Sequence, residues 1–271
     1  MRRFSLLLLA LVPVAIQAQV ALERPGQYPE FRSISGLPGG GFGVLRNGTP
    51  DISGAMALST PIGYTLGHDS FFLAGADTSN NGTFSFPVLT KRNGDVFPNG
   101  GNGTGVAMFG TTTPIGEVSA TFELLSGQFN SVYNFQWTPK QAPESEQGAT
   151  FSLGVQDIRG HGGTGGNAYD NSHTGWTSRS TYVAATRQVC DNAFVSVGVG
   201  ANRFRTVFGN ASYGFAKRFK AVGEYDGFNF NYGLAADLGR FNFYAGRDAH
   251  VIAFLGAVDG KYATWTLGFT F

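Results

Sequence analysis

Cysteine is almost missing, with one residue, Cys190, in a chain of 271. A lone thiol forms no internal disulfide, so no disulfide framework supports the fold. Charge is scarce too. Asp, Glu, Lys and Arg make up 14% of the chain, against about a quarter in an ordinary soluble domain. The net charge is +1, and removing a leader that carries Arg2 and Arg3 leaves about −1, which excludes the basic surface that nucleic-acid binding needs. After residue 18 there is no run of 18 apolar residues, so no transmembrane helix is expected. His68, His161, His173 and His250 are the only histidines, and they lack the convergent spacing of a metal site. No Gly-x-Ser-x-Gly nucleophile elbow occurs. The run Gly162-Gly163-Thr164-Gly165-Gly166 has neither the Lys nor the following helix of a phosphate loop. No catalytic residue, metal or cofactor is expected, and the chain reads as a non-enzyme.

What the chain has in plenty is glycine (40) and phenylalanine (25), with 42% apolar residues. Glycine alone would suggest disorder, but abundant aromatics argue against it. Together they fit many aromatic strands separated by many turns. At the N-terminus, Arg2 and Arg3 followed by apolar Leu6 to Val14 read as a secretory signal peptide over residues 1–18. Residues 19–50 are Gly/Pro-rich and weakly periodic, as in Gly36-Leu37-Pro38-Gly39-Gly40-Gly41. They read as a partly irregular lead-in; a place inside a barrel lumen is compatible with them, but no sequence feature demands it.

From about Asp51 the pattern changes to short period-two stretches punctuated by Gly, Asn, Asp or Pro, the signature of strands. Tyr133-Asn134-Phe135-Gln136-Trp137 is aromatic at every other residue. Val195, Val197 and Val199 oppose Ser196, Gly198 and Gly200. Phe228, Phe230, Tyr232 and Leu234 alternate with Asn229, Asn231 and Gly233. Pro87–Gly105 and Gly160–Ser178 read as long loops. Residues 51–271 thus hold about twelve strands, with ten to fourteen compatible, and a single-chain bacterial outer-membrane barrel takes an even number. A soluble sandwich would carry charge on its polar face; here that face is mostly Gly, Ser, Thr and Asn, as inside a membrane barrel. The fold expected is an all-β, antiparallel transmembrane β-barrel.

The sharpest signal is the last segment, Tyr262 to Phe271. Ala263, Trp265, Leu267, Phe269 and Phe271 share one face; Tyr262, Thr264, Thr266, Gly268 and Thr270 share the other. This resembles the C-terminal signal of outer-membrane proteins, which ends in an aromatic residue and is recognised by the barrel-assembly machinery. The resemblance implies a bacterial outer-membrane location, with Trp265, Leu267, Phe269 and Phe271 as the assembly signal and membrane lipid as the surroundings. Trp137, Trp176 and Trp265 are candidates for interfacial belts.

Charged residues in or beside strands include Glu123, Asp157, Lys217, Arg218, Lys220, Glu224, Asp226, Arg240 and Arg247. An Arg or Lys facing lipid at mid-depth costs about 2–4 kcal/mol, so these residues are expected in the lumen or at the rims, with Glu123, Asp157, Glu224, Asp226 and Arg240 the candidates. Their mixed signs favour a plugged or narrow lumen over an ion-selective pore. Ala221-Val222-Gly223-Glu224-Tyr225-Asp226-Gly227 followed by Asn231-Tyr232-Gly233-Leu234, with the earlier Gly154-Val155-Gln156-Asp157-Ile158, resembles the YjbH-like outer-membrane barrels across residues 148–271. That resemblance implies a link to exopolysaccharide production, with polysaccharide or envelope proteins as partners. Read from the residues alone, Asp226-Gly227 is a favoured hairpin turn. The leading functional expectation is a structural or narrow-channel barrel of the cell envelope. The alternatives are a general diffusion porin and a secreted soluble β-sandwich or adhesin.

Overall fold

The computed structural model describes residues 35–67, 70–78, 90–92, 95–97, 104–125, 130–140, 148–160, 179–204, 207–227, 230–244, 247–258, 260 and 262–271. The signal segment, residues 19–34, His68, His161, His173, Trp176 and Gly162–Gly166 lie outside them. The strands are β1 (Phe71–Thr78), β2 (Thr90–Arg92), β3 (Asp95–Phe97), β4 (Thr104–Thr113), β5 (Gly116–Leu125), β6 (Asn130–Pro139), β7 (Thr150–Gln156), β8 (Ser180–Cys190), β9 (Ala193–Gly200), β10 (Phe208–Ala216), β11 (Phe219–Tyr225), β12 (Phe230–Tyr244), β13 (Arg247–Val258) and β14 (Tyr262–Thr270). Twelve of them form one closed antiparallel barrel in the order β1-β14-β13-β12-β11-β10-β9-β8-β7-β6-β5-β4. Strands β2 and β3 pair separately as a hairpin inside the connection expected to be a long loop.

Closure depends on the terminal strand. Pairing runs from Phe72↔Thr270 to Thr78↔Thr264, and β14 also pairs with β13 along nine residue pairs. No barrel edge is left to template aggregation or to leave backbone groups bare in lipid. The alternation read from the sequence sets which side faces out. On β9, Val195, Val197 and Val199 are exposed while Phe194 and Ser196 are buried. On β6, Tyr133 and Phe135 are exposed while Asn134 and Gln136 are buried.

The two rims differ. The strand ends joined by 114–115, 140–149, 191–192, 217–218 and 245–246 lie at one rim, together with the start of β1 and the end of β14. The connections 79–103 and 157–179 lie at the other. These are called the short-turn and long-loop rims below. Outward aromatics gather towards both. Near the short-turn rim, Phe71 lies 4.9 Å from Phe109 and 5.9 Å from Phe271, and Phe215 stacks 6.1 Å from Phe219. Towards the long-loop rim, Phe122 lies 5.4 Å from Tyr133 and Tyr225 lies 5.0 Å from Phe230.

The first barrel strand begins at Phe71, not near Asp51. Residues 51–67 continue the irregular stretch before them, and their side chains are almost all buried. Their Gly, Ser, Thr and apolar residues imitate strand punctuation, yet they form only the isolated bridges Gly40↔Ala57 and Val44↔Ala55.

Candidate functional site

The lumen is filled by the chain itself. Leu37, Phe42, Val44, Met56, Leu58, Ile62 and Leu66 all have 0% exposure. A short irregular segment cannot bury itself to that degree, and what covers it is the barrel wall. The segment passes through the lumen three times. It starts near the long-loop rim, where Gln156 Nε2 donates to Ser35 O (2.5 Å) and Asn134 Nδ2 to Gly36 O (3.1 Å). Gly36 has φ +62°, and a Cβ there would run into the Glu123 carboxyl group and the Asn134 amide, so only glycine fits.

The first pass runs down past β1, where Phe42 stacks on Phe72 with ring centroids 3.8 Å apart. The chain then turns near the short-turn rim. Asp51 Oδ1 accepts from Ser53 N (2.7 Å) and Ser53 Oγ (2.6 Å), and Lys220 Nζ donates to Ser53 O (3.1 Å) and to Gly54 O. The second pass climbs back towards Glu224. The carboxylate of Glu224 accepts from Leu58 N (2.9 Å), Ser59 N (3.0 Å), Thr60 N (3.2 Å), Ser59 Oγ (2.6 Å) and Thr60 Oγ1 (3.0 Å). Asn231 Nδ2 donates to the same carboxylate (2.9 Å) and to Asp226 (2.7 Å).

The third pass returns to β1. Gln136 Nε2 donates to Tyr64 O (2.8 Å), Ser152 Oγ to Ile62 O (2.8 Å) and Thr138 Oγ1 to Gly63 O (3.1 Å). Gly63 N donates to Thr186 Oγ1 (2.6 Å). Tyr182 Oη donates to Gln136 Oε1 (2.7 Å), which fixes the amide with its NH2 towards the plug.

The logic of the wall follows from backbone chemistry. A buried irregular segment has N–H and C=O groups that no ladder satisfies, and leaving them bare is costly. The inner faces of β6, β7, β8, β10 and β11 supply side-chain partners. Glu224 gathers three successive N–H groups, while Lys220, four residues earlier on the same strand, gathers carbonyls. Lys220 Nζ also sits 4.9 Å from the Phe194 ring centre, a cation–π contact. On the opposite side, β13, β1 and β4 present Ile252, Phe254, Phe72, Val106 and Met108, which join one buried apolar cluster with Phe42, Met56 and Leu58.

Glu123 (1% exposed), Asp157 (1%), Glu224 (4%) and Asp226 (4%) are buried, the first and third on inward strand positions and the other two where β7 and β11 end at the long-loop rim. Arg240 is exposed near the short-turn end of β12, and Lys217 and Arg218 are exposed in the β10–β11 turn. Asp237, unremarked in the sequence, pairs with His250 at 2.7 Å. Trp265, Leu267 and Phe269 face outward and Phe271 is exposed, whereas Thr264, Thr266, Gly268 and Thr270 are buried. Sequence reasoning passed over Asn134, Gln136, Ser152, Thr186, Asn210 and Ser212. Their signal was available, since amides and hydroxyls two residues apart opposite aromatics mark a polar inner face. Nothing in the strands marked the apolar sector as anything but further lipid-facing surface.

No protein-family model matches the chain, and no curated protein does. Among solved structures, the chain is similar to KdgM porin at 9% identity and a TM-score of 0.44, over 74% of this chain and 98% of that one. KdgM porin in complex with disordered oligogalacturonate gives the same figures. The outer membrane protein Omp33 of Acinetobacter baumannii is 15% identical, with a TM-score of 0.39, over 75% of this chain and 97% of that one.

Proposed function

We propose that this chain is a bacterial outer-membrane barrel of the narrow-channel kind, closed at rest by its own residues 35–67, with no catalytic role. One observation carries the reading. A closed twelve-stranded barrel presents apolar side chains outward on every strand pair described above, while its lumen is occupied by a segment bonded to the wall through side chains of β6 to β11. The outward band with aromatics towards both rims suits lipid. Of the charges inside, Glu224 and Lys220 hold the plug backbone, so the chain itself fills the lumen. The two longest connections, 79–103 and 157–179, share one rim, while the other joins its strands by two-residue turns and the single longer connection 140–149, an asymmetry that suits extracellular and periplasmic sides. A general diffusion porin needs an open aqueous path, which residues 35–67 occupy here.

The partners in this reading are outer-membrane lipid and the barrel-assembly machinery. A tie to surface polysaccharide rests on the YjbH-like segment, whose Asp226-Gly227 lies in the β11–β12 connection at the long-loop rim. Cell fractionation with gel migration before and after heating tests the reading. The expected result is a heat-modifiable band in the outer-membrane fraction. A mature chain that stays soluble without detergent would support the secreted sandwich instead.

A further inference from the structure

We propose that the outer wall of β8 to β11, beside the short-turn rim, binds one anionic glycerophospholipid, with its phosphate on Arg187 and an acyl chain in the hollow next to it. The inference rests on the outer-membrane reading above and deepens it by naming a lipid site. Arg187 shares the parity of Val183 and Val189 on β8, which are exposed, while Ala184 and Thr186 are buried. It therefore points away from the lumen. On the strands from β4 to β11, it is the one charged side chain at an outward position among the described residues; Glu117, Glu123, Lys220 and Glu224 take inward ones. Arg187 has no hydrogen bond or ion pair with a described residue. Val189, two places nearer the rim, is apolar and 56% exposed, so the Arg187 side chain starts among apolar neighbours. A cation facing lipid is costly unless its stem carries the charge to the interface. There the available anion is a lipid phosphate, which a guanidinium grips with two hydrogen bonds.

The wall next to Arg187 lacks bulk. Arg187 pairs with Val195, Val195 with Ala211, and Ala211 with Gly223, in one row across four strands. Two residues towards the short-turn rim, Tyr213 pairs with Ala221. A Cβ added at Gly223 would meet nothing within 4 Å. The result is a hollow of about 310 Å³ whose lining includes Val189, Val195, Ala211, Tyr213, Ala221 and Gly223. Elsewhere the outward wall carries large side chains such as Phe109, Phe151 and Leu255. An occupant that faces lipid is apolar, and the hollow is too small to seat a helix about 10 Å across. An alkyl chain fits it. The turns at the same rim add Lys217 and Arg218 against Asp191, all exposed, so the local field is positive and favours a net-negative head over a zwitterionic one. In the outer-membrane reading this rim faces the periplasm, so the phosphate is that of a glycerophospholipid in the periplasmic leaflet. Head and chain are recognised by separate features, charge by Arg187 and shape by the side chains that Ala211, Ala221 and Gly223 leave out.

The test is native mass spectrometry of the full mature chain, released from nanodiscs made of equal parts phosphatidylglycerol and phosphatidylcholine with the same acyl chains. The wild type is expected to keep one lipid, with phosphatidylglycerol favoured about fivefold, which is what one cation beside an anionic head is worth. Arg187→Gln should bring the two lipids to equal retention. Gly223→Leu fills the hollow and should lower retention of both lipids; Ala211→Leu gives the same comparison if that variant does not fold. Equal retention of the two lipids by the wild type would overturn the site. So would an unchanged preference in Arg187→Gln, or undiminished retention in the variants that fill the hollow. Paired barrels that keep no lipid and separate on Gly223→Leu would assign the hollow to a second copy of the chain and overturn the lipid. A wild-type chain that does not fold into discs would overturn the outer-membrane reading and the site with it; folded barrels without a lipid preference overturn the site alone.

Discussion

At the scale of single residues, two charges on one strand clamp the turn and the second pass of the plug. Glu224 and Lys220 face the lumen from β11 and take opposite poles of the plug backbone. Hydrogen bonds to an ionised partner are worth about 1.5–3 kcal/mol each, and an orphaned buried donor costs about 1–3 kcal/mol. Glu224→Gln places an NH2 among donors and is expected to weaken plug docking by about 3 kcal/mol. The plug should then become sensitive to protease in folded protein, with cleavage mapped to residues 35–67. Cleavage no faster than in wild type would count against the clamp. A lumen or rim place for Glu224 was legible from the cost of a charge facing lipid. Its partner was not, because an acid that collects N–H groups from a segment more than 160 residues away leaves no trace in local pattern.

At the scale of elements, the period-two alternation made the strands readable and their faces assignable. On β14 the two faces separate as the sequence indicated, with Trp265, Leu267 and Phe269 outward. Leu267→Arg puts a cation towards the bilayer, and equilibrium unfolding from lipid vesicles should show a loss of about 2–4 kcal/mol. A cost near zero would place that face elsewhere. Removing Phe271 should lower the amount of assembled barrel in the outer-membrane fraction, measured by heat-modifiable migration; undiminished assembly would deny it a role in the signal. Residues 51–67 show where alternation misleads. Leu58, Ile62, Tyr64 and Leu66 are spaced like strand residues, yet each is buried on an irregular path. Their apolar side chains serve the inner apolar sector, and a contact between plug and wall obeys no strand period.

At the scale of the whole molecule, the barrel is a sealed ring around its own chain. Its orientation has a built-in reporter. Cys190 is exposed at the end of β8, on the short-turn rim. If that rim faces the periplasm, a membrane-impermeant maleimide labels Cys190 only after the outer membrane is permeabilised. Equal labelling of intact cells would invert the topology. The central claim is that residues 35–67 close the lumen. It is tested most directly by single-channel recording of the folded full-length protein in planar bilayers, wild type beside the Glu224→Gln/Lys220→Met variant. The account predicts a silent or rarely opening wild type and frequent conductance steps from the variant. Stable open steps of the same size and frequency from both would contradict it.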